Sequence, residues 1–151
     1  MKLSRRGALK RLLAGSAAVF LVPVSALAKW AEKAFNATKL DEAIKLLWPN
    51  AKLEKSDKVR LKAPEIAENG AVVPVTIGSD LPNVKSMAIF VEKNPSPLTS
   101  KFDLFKDAKP EFSLRIRMGE TSKVIAAVET TDGKVYFTEK EVKVTIGGCG
   151  G

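Results

Sequence analysis

The chain has 151 residues and a formal net charge of +8, and 45% of its residues are hydrophobic. This composition fits one globular domain with an appendage. The chain contains one cysteine and no histidine, so an internal disulfide is excluded, and the commonest metal ligand and general base are missing. These counts disfavour metal hydrolysis and Ser-His-Asp catalysis, and the sequence shows no cofactor motif, so we expect no catalytic residue, no metal site and no cofactor.

The positive charge is concentrated near the N-terminus. The first 28 residues hold five basic residues and no acidic residue, which leaves 20 basic against 17 acidic residues in the rest of the chain. Binding to a phosphate backbone needs a dense basic surface, whereas the later basic residues are interleaved with acidic ones. We therefore expect no nucleic-acid partner.

Residues 1–28 have the pattern of an export signal. An apolar stretch follows a basic start, and Ala26–Ala28 fits a cleavage site that leaves Lys29 as the first residue. The stretch is shorter than the about 20 residues of a membrane-spanning helix, so no membrane attachment is expected after cleavage. Arg5 and Arg6 lie in a segment that resembles the twin-arginine signal. That route exports folded proteins to the periplasm, and a partner subunit folded alongside is the simplest reason for its use here.

A short amphipathic helix is predicted early in the mature part of the chain, residues 29–146. Thr38 and Asp41 indicate a capping-box start, and Pro49 indicates a stop. Between them the apolar residues recur at helical spacing: Leu40, Ala43, Ile44, Leu47 and Trp48. We expect this stripe to pack on the domain itself rather than to bind a cofactor.

An antiparallel β-sandwich is predicted for the rest of the mature chain. The runs of β-branched or alternating residues that predict strands are 71–78, 84–91, 112–118, 123–129, 134–137 and 141–146. Asp132-Gly133 predicts a hairpin, and Asn69-Gly70 and Asn94–Pro97 predict turns. Pro74 cannot donate a ladder hydrogen bond, so we expect its strand to lie at an edge or to carry a bulge.

The run 112–118 alternates between two faces of its strand. We expect one set of side chains in the core and the other set outside: Phe112, Leu114, Ile116 and Met118 inside, and Ser113, Arg115 and Arg117 outside. The two arginines are available to an anionic ligand or a partner, although a solvated face is the commoner reason for such a pattern.

The only cysteine lies in a glycine-rich C-terminal arm, residues 147–151, which follows a predicted strand: Gly147, Gly148, Cys149, Gly150 and Gly151. Glycine has no Cβ, so we expect a mobile and narrow arm that can enter a deep pocket in a partner. A nucleophilic enzyme fixes its thiol beside a base, and the arm offers neither rigidity nor a base. The nearby C-terminal carboxylate also opposes thiolate formation. The thiol is therefore predicted to be acted upon by other proteins.

On these features the chain resembles SoxY, the sulfur-carrier family of the periplasmic Sox thiosulfate-oxidation system. The resemblance covers nearly the whole chain and includes the twin-arginine signal and residues 41–45, 59–75, 94–95, 115–117 and 147–151. It implies an all-β, immunoglobulin-like sandwich with a short N-terminal helix and a flexible C-terminal arm. It also implies a non-catalytic protein that carries thiosulfate-derived sulfur covalently on Cys149.

The same resemblance implies several protein partners. These are a SoxZ-like subunit that forms a heterodimer with the carrier, a c-type cytochrome that conjugates thiosulfate to the thiol, and a hydrolase that releases sulfate. Where the pathway is complete, a sulfane oxidase acts on the remaining sulfur. No cofactor of the carrier itself is implied.

Two other hypotheses account for parts of the C-terminus. Ubiquitin-like carriers also end in Gly-Gly and hold sulfur as a thiocarboxylate on the last glycine, here Gly151, but their ATP-dependent activation is cytoplasmic and conflicts with export. A single cysteine in an exported protein also fits a structural dimer joined through Cys149.

Overall fold

The computed structural model describes residues 31–145, which form two short helices and nine strands. The predicted signal, the cleavage site and the C-terminal arm lie outside these residues. The helices are α1 Glu32–Asn36 and α2 Leu40–Leu47. The strands are β1 Leu53–Lys55, β2 Val59–Lys62, β3 Ile66–Ala67, β4 Val73–Ser79, β5 Val84–Val91, β6 Leu98–Asp103, β7 Glu111–Ile116, β8 Ser122–Thr130 and β9 Val135–Val144.

The strands form two sheets, which confirms the predicted β-sandwich. The larger sheet has the order β1-β9-β8-β5-β6, with β3 also paired to β9, and the smaller sheet has the order β2-β4-β7. Most neighbours are antiparallel, as predicted. Two short strands, β1 and β3, instead pair with β9 in parallel, which the sequence pattern did not indicate because each has only two or three residues.

The central strands β5 and β8 of the larger sheet are buried on both faces. In β5, Met87 and Ile89 point into the core between the sheets, whereas Ala88 and Phe90 point to a second core under the helices. Trp48 fills that second core and meets the Phe90 ring edge-on, with 6.1 Å between the ring centroids. The helix cover explains why β5 and β8 are nearly continuous apolar runs rather than alternating ones.

The predicted helix is confirmed as α2, and its apolar stripe packs on the larger sheet. The predicted capping box is wrong. Lys39 is the N-cap, in an extended conformation, and no side chain caps the helix. The Lys39 carbonyl accepts the first helical hydrogen bond from the Ala43 N–H at 3.0 Å, so the helix begins one residue later than a cap at Thr38 would require. The preceding helix α1 was not predicted, because five residues carry too little periodicity.

The two strands predicted at 134–137 and 141–146 are a single strand, β9. Its central residues are polar, yet they continue the ladder with β8. β1 pairs with β9 only up to Phe137, and β3 begins only at Lys143. The polar centre of β9 therefore lies between these two short neighbours, where no buried second neighbour demands apolar side chains.

Pro74 lies in β4, the central strand of the smaller sheet, and the register on β7 is continuous across it. The prediction of an edge strand or a bulge is therefore wrong for the strand as a whole. The reason for the prediction, that proline cannot donate to a second neighbouring strand, still applies at Pro74 itself. β2 pairs only with Thr76–Ser79 of β4. Pro74 lies beyond the end of β2 and has a strand neighbour on one side only, so its missing N–H breaks no ladder there.

The remaining sequence-based predictions for the sandwich are largely confirmed. Ile116 and Met118 are buried, and Phe112 and Leu114 pack against the same core. The hairpin at Asp132-Gly133 joins β8 to β9, and Gly133 takes a φ of +83° that favours glycine. The strand β6 was missed because its polar residues Thr99, Ser100 and Lys101 conceal the alternation; it is an edge strand of the larger sheet.

Candidate functional site at the C-terminal end of the last strand

The last three described residues, Lys143, Val144 and Thr145, are here called the arm root, because the glycine-rich arm follows them in the chain. Each backbone N–H of the arm root donates a hydrogen bond to another segment. The Lys143 N–H donates to the Glu65 carbonyl at 2.9 Å, and the Thr145 N–H donates to the Ala67 carbonyl at 3.1 Å. The Val144 N–H donates to Thr121 Oγ1 at 3.0 Å. The arm root is therefore hydrogen-bonded to the β3 segment on one side and to the β7–β8 connection on the other.

Packing fixes the arm root as well as hydrogen bonding. Val142, one residue before it, is fully buried in the core between the sheets, and Val144 packs against the same core. Parallel pairing of β3 aligns Ile66 with Lys143 and Ala67 with Val144. A strand end anchored in this way gives a following segment a fixed origin.

The arm itself, Gly147, Gly148, Cys149, Gly150 and Gly151, lies outside the described residues. Its length still limits where the thiol can go. Cys149 follows Thr145 by four residues, and an extended chain spans at most about 3.3–3.6 Å per residue. The Cys149 backbone therefore stays within about 14 Å of Thr145. Any protein that acts on the thiol must approach the arm root at least that closely.

Two turns lie beside the arm root, and each is hydrogen-bonded to the β7–β8 connection. The Asn94 side-chain amide donates to the Arg117 carbonyl at 2.8 Å, and its oxygen accepts from the Gly119 N–H at 3.2 Å. The Met118 N–H donates to the Gly70 carbonyl at 2.7 Å. The predicted turns at Asn69-Gly70 and Asn94–Pro97 are thus confirmed, and both support the β7–β8 connection that carries Thr121.

The charges around the arm root have both signs. Glu65, Glu68, Glu120, Arg117 and Lys143 are exposed, and none of them forms an ion pair with another described residue. A field of one sign would attract one class of ligand, and the arm root has no such field.

Among residues 31–145, three carboxyl groups have a lowered pKa, and all three lie at the end of the sandwich opposite the arm root. Burial raises the pKa of Glu129, but hydrogen bonds from Lys85, Ser86 and Trp48 outweigh it and lower the pKa overall. The two strongest of these contacts are Lys85 Nζ to Glu129 Oε1 and Ser86 Oγ to Glu129 Oε2, both 2.8 Å. They tie β5 to β8 and are structural.

The other two lowered carboxyl groups are exposed. A hydrogen bond from Lys109 is the main cause of the lowered pKa of Glu111, and one from Thr130 is the main cause for Asp132. Glu111 is the first residue of β7, and Asp132 lies in the hairpin between β8 and β9.

The predicted outward arginines are exposed, as expected. Arg115 lines an open groove of about 680 Å³ on the outer face of the smaller sheet, together with Lys62, Thr76 and Ser113. Arg117 belongs to the turn beside the arm root. Arg117 is not among the residues that line this groove.

Within the described part of the chain, no group of three or more His, Cys, Asp or Glu side chains is placed to hold a metal ion. No helix there is long and apolar enough to cross a membrane.

The residues that anchor the arm root were not predicted from the sequence. Thr121 lies 23 residues from its partner Val144, and no periodicity reveals a side-chain bond over that separation. Ala67 and Asn94 fall in stretches on which the family resemblance rests, but nothing in those stretches indicates that they support the C-terminal strand.

The fold and the arm root define a class of protein: a β-sandwich whose last strand ends in a fixed origin for a short cysteine-bearing segment. The family model described as "Sulfur oxidation protein SoxY" matches residues 44–149, so the match ends at Cys149. The sulfur carrier protein SoxY from Chlorobium limicola f thiosulfatophilum has a solved structure that is 44% identical. It covers 72% of this chain and 97% of its own, with a TM-score of 0.66. The chain belongs to the SoxY family, whose role is that of a carrier in sulfur oxidation.

More distant structures share the fold alone. The superoxide reductase (neelaredoxin) from Ignicoccus hospitalis is 14% identical, with a TM-score of 0.52 over 58% of this chain and 80% of its own. A putative superoxide reductase from Thermotoga maritima is 11% identical, with a TM-score of 0.53 over 62% of this chain and 95% of its own. A search of curated proteins gave no match.

Proposed function

We propose that this chain carries sulfur covalently on Cys149 in the periplasm and presents it to separate enzymes. The observation that carries the proposal is the arm root: a strand end hydrogen-bonded on both sides, four residues before the only cysteine of a SoxY-family chain. A fixed origin and a glycine-rich tether together allow one thiol to visit several active sites while the sandwich stays intact.

The chemistry requires the partners to supply every reactive group. In the first step the Cys149 thiol and thiosulfate form an S–S bond, which gives a cysteine S-thiosulfonate and releases a proton, and the two electrons removed pass one at a time to the conjugating c-type cytochrome and on to its electron acceptor. In the second step a hydrolase directs water to the terminal sulfonate sulfur. The S–S bond to the sulfonate breaks, sulfate leaves, and a persulfide remains on Cys149. A sulfane oxidase, where present, then oxidises that sulfur. The carrier itself supplies only the thiol and its position.

Loading by a purified conjugating cytochrome tests this proposal. The wild-type chain should gain one thiosulfate-derived group, and Cys149→Ser should gain none. The Cys149→Ser variant should unfold with the same transition as the wild type, because residues 31–145 form the sandwich. Sulfur found on Gly151 of the serine variant isolated from cells, where ATP-dependent activation is available, would instead support a thiocarboxylate carrier. A wild-type chain that forms only disulfide-linked dimers would support the structural alternative.

Export with a passenger subunit is the second part of the proposal. A SoxZ-like partner without its own signal would be carried by the twin-arginine segment of this chain. Changing Arg5 and Arg6 to Lys should retain both chains in the cytoplasm, measured by fractionation of cells that express tagged copies. A partner that still reaches the periplasm would contradict passenger export.

A further inference from the structure

The groove on the outer face of the smaller sheet, of about 680 Å³, is not used by the proposed function. The strand register places its polar residues in two adjacent rows. In one row Lys62 on β2 pairs with Thr76 on β4, and Thr76 pairs with Ser113 on β7. In the next outward row Pro74 pairs with Arg115 on β7. Two cations and two hydroxyls therefore line one groove.

Alternation along the three strands confirms that these polar side chains share a face. Leu61, Val75 and Leu114 lie next to them in sequence and pack against the core between the sheets. Because successive side chains of a strand point to opposite faces, the polar residues point away from that core. Among them only Thr76 is half-buried, and the other three are exposed.

The acidic side chain of this face is already engaged. Glu111 accepts hydrogen bonds from Lys109 Nζ at 3.2 Å and from Arg60 at 3.4 Å. Lys109 is the main cause of the lowered pKa of Glu111, and Lys62 is the weakest and acts only through space. Within residues 31–145, neither Lys62 nor Arg115 forms an ion pair. The groove therefore has two cations available to a ligand and no carboxylate in its lining.

The donors of the groove can meet at one point above β4. Neighbouring strands are about 4.8 Å apart and successive residues on one face about 6.8 Å apart, so the Cα atoms of Lys62 and Arg115 lie about 12 Å from each other across β4. Both side chains are long and end in charged donors. Thr76 Oγ1 and Ser113 Oγ lie 2.8 Å apart between them. This bond uses one of the two hydroxyl protons, and the other can be donated to a ligand.

We propose that this groove binds a small tetrahedral dianion, thiosulfate or sulfate. The identity of the anion rests on the proposed function, which makes these two ions the reactant and the product of the carrier. The planar fork of Arg115 contacts two oxygens of the ion, Lys62 adds a second charge, and the hydroxyl pair donates to a further oxygen. Two positive charges favour a dianion over chloride.

The test is an NMR titration of the isotope-labelled mature chain in complex with its partner subunit. Cys149→Ser is used as the parent, so that thiol chemistry takes no part. Sodium thiosulfate and sodium sulfate are added separately, and sodium chloride keeps the ionic strength constant. We expect saturable shifts of the amide signals at Thr76, Ser113 and Arg115. Saturation under these conditions requires a preference for the dianion over chloride.

Variants of the groove should weaken binding in a defined order. Lys62→Gln and Arg115→Gln should each raise the dissociation constant about fivefold. Lys106→Gln is the matched control, because it removes the same charge from an exposed position in the β6–β7 loop, and it should change nothing. Ser113→Ala leaves the Thr76 hydroxyl as a donor, so it should weaken binding less than the double variant Thr76→Val/Ser113→Ala.

The absence of saturable shifts, or an equal loss of affinity in Lys106→Gln and Arg115→Gln, would overturn the anion site. Normal enzymatic loading of wild-type Cys149 in that case would leave the proposed function standing. A wild-type chain that is not loaded would instead overturn the proposed function.

Discussion

The Val144 N–H donates its hydrogen bond to a side chain, Thr121 Oγ1, and not to a neighbouring strand. Thr121 directly precedes β8. This bond therefore joins the β7–β8 connection to the end of β9. A hydroxyl from the β7–β8 connection therefore completes the support of the strand that carries the arm.

Removal of the Thr121 hydroxyl should loosen the arm root. We expect Thr121→Val to lower the free energy of unfolding by about 0.5–1.5 kcal/mol and to accelerate amide hydrogen exchange at Val144. Thr121→Ser should restore protection, because it keeps the acceptor. Thr145→Val is a useful control, since the Thr145 hydroxyl lies 3.5 Å from the Glu68 carbonyl and forms a weak contact. Equal protection of Val144 in Thr121→Val and the wild type would show that the bond does not hold the strand.

Acid should destabilise the sandwich through Glu129. Its pKa is lowered in the folded protein relative to an ordinary value of 4.5. The stability that it contributes is therefore fully present above the unfolded pKa and is lost as pH falls through the folded pKa. Glu129→Gln should cost about 1.5–3 kcal/mol at neutral pH, where hydrogen bonds to the charged carboxylate are lost.

The difference between the wild type and Glu129→Gln should shrink as the pH falls below about 4.5. Urea unfolding at a series of pH values measures it. Glu111→Gln is a control on an exposed carboxylate, and we expect little change in stability from it. A wild-type–Gln difference that is constant from neutral pH to strongly acidic pH would contradict the assignment of the lowered pKa to folding.

Two glycines allow a test of backbone strain without steric interference. A Cβ at either Gly133 or Gly119 would meet no atom within 4 Å, but only Gly133 has a positive φ, +83°. Gly133→Ala should therefore destabilise the fold by about 1–2 kcal/mol. Gly119→Ala should be neutral or slightly stabilising, because alanine restricts the unfolded chain. Similar unfolding free energies for the two variants would contradict the requirement for glycine at the positive φ of Gly133.

The glycine before the cysteine should matter for enzymatic loading rather than for thiol reactivity. Gly148→Val adds a β-branched side chain that restricts the backbone and widens the arm. We expect slow loading by the conjugating enzyme and normal reaction with a small alkylating agent. Gly148→Ala should fall between the valine variant and the wild type. Wild-type loading of Gly148→Val would show that a narrow, flexible arm is not required.

The strands that the sequence predicts well are those whose burial appears as a run of apolar residues. β5 and β8 lie between two cores and are apolar almost throughout, so their positions are clear from the sequence. β6 and the centre of β9 lie where one side lacks a buried neighbour, and polar residues conceal them. Pro74 shows the same limit, because whether a strand is central or at an edge depends on how far its neighbours extend.

Some parts of the candidate site can be predicted from the sequence, and others cannot. Cys149 and its glycines are evident from the sequence, because their composition is unusual and they occur at the end of a predicted strand. The arm root is not evident, because it depends on contacts between distant segments: Glu65 and Ala67 through their carbonyls, and Thr121 through its hydroxyl. A backbone carbonyl acts through its position alone, and no residue type identifies it.

Covalent carriage of sulfur is tested most directly by the intact mass of the native protein from the periplasm of cells growing on thiosulfate. We predict a species heavier than the apoprotein by a thiosulfonate or persulfide group, which a thiol reductant removes. Peptide mapping should place the added group on Cys149. A periplasmic pool in which Cys149 carries only a disulfide to a second chain, or in which the added sulfur lies on Gly151, would contradict carriage on the Cys149 thiol.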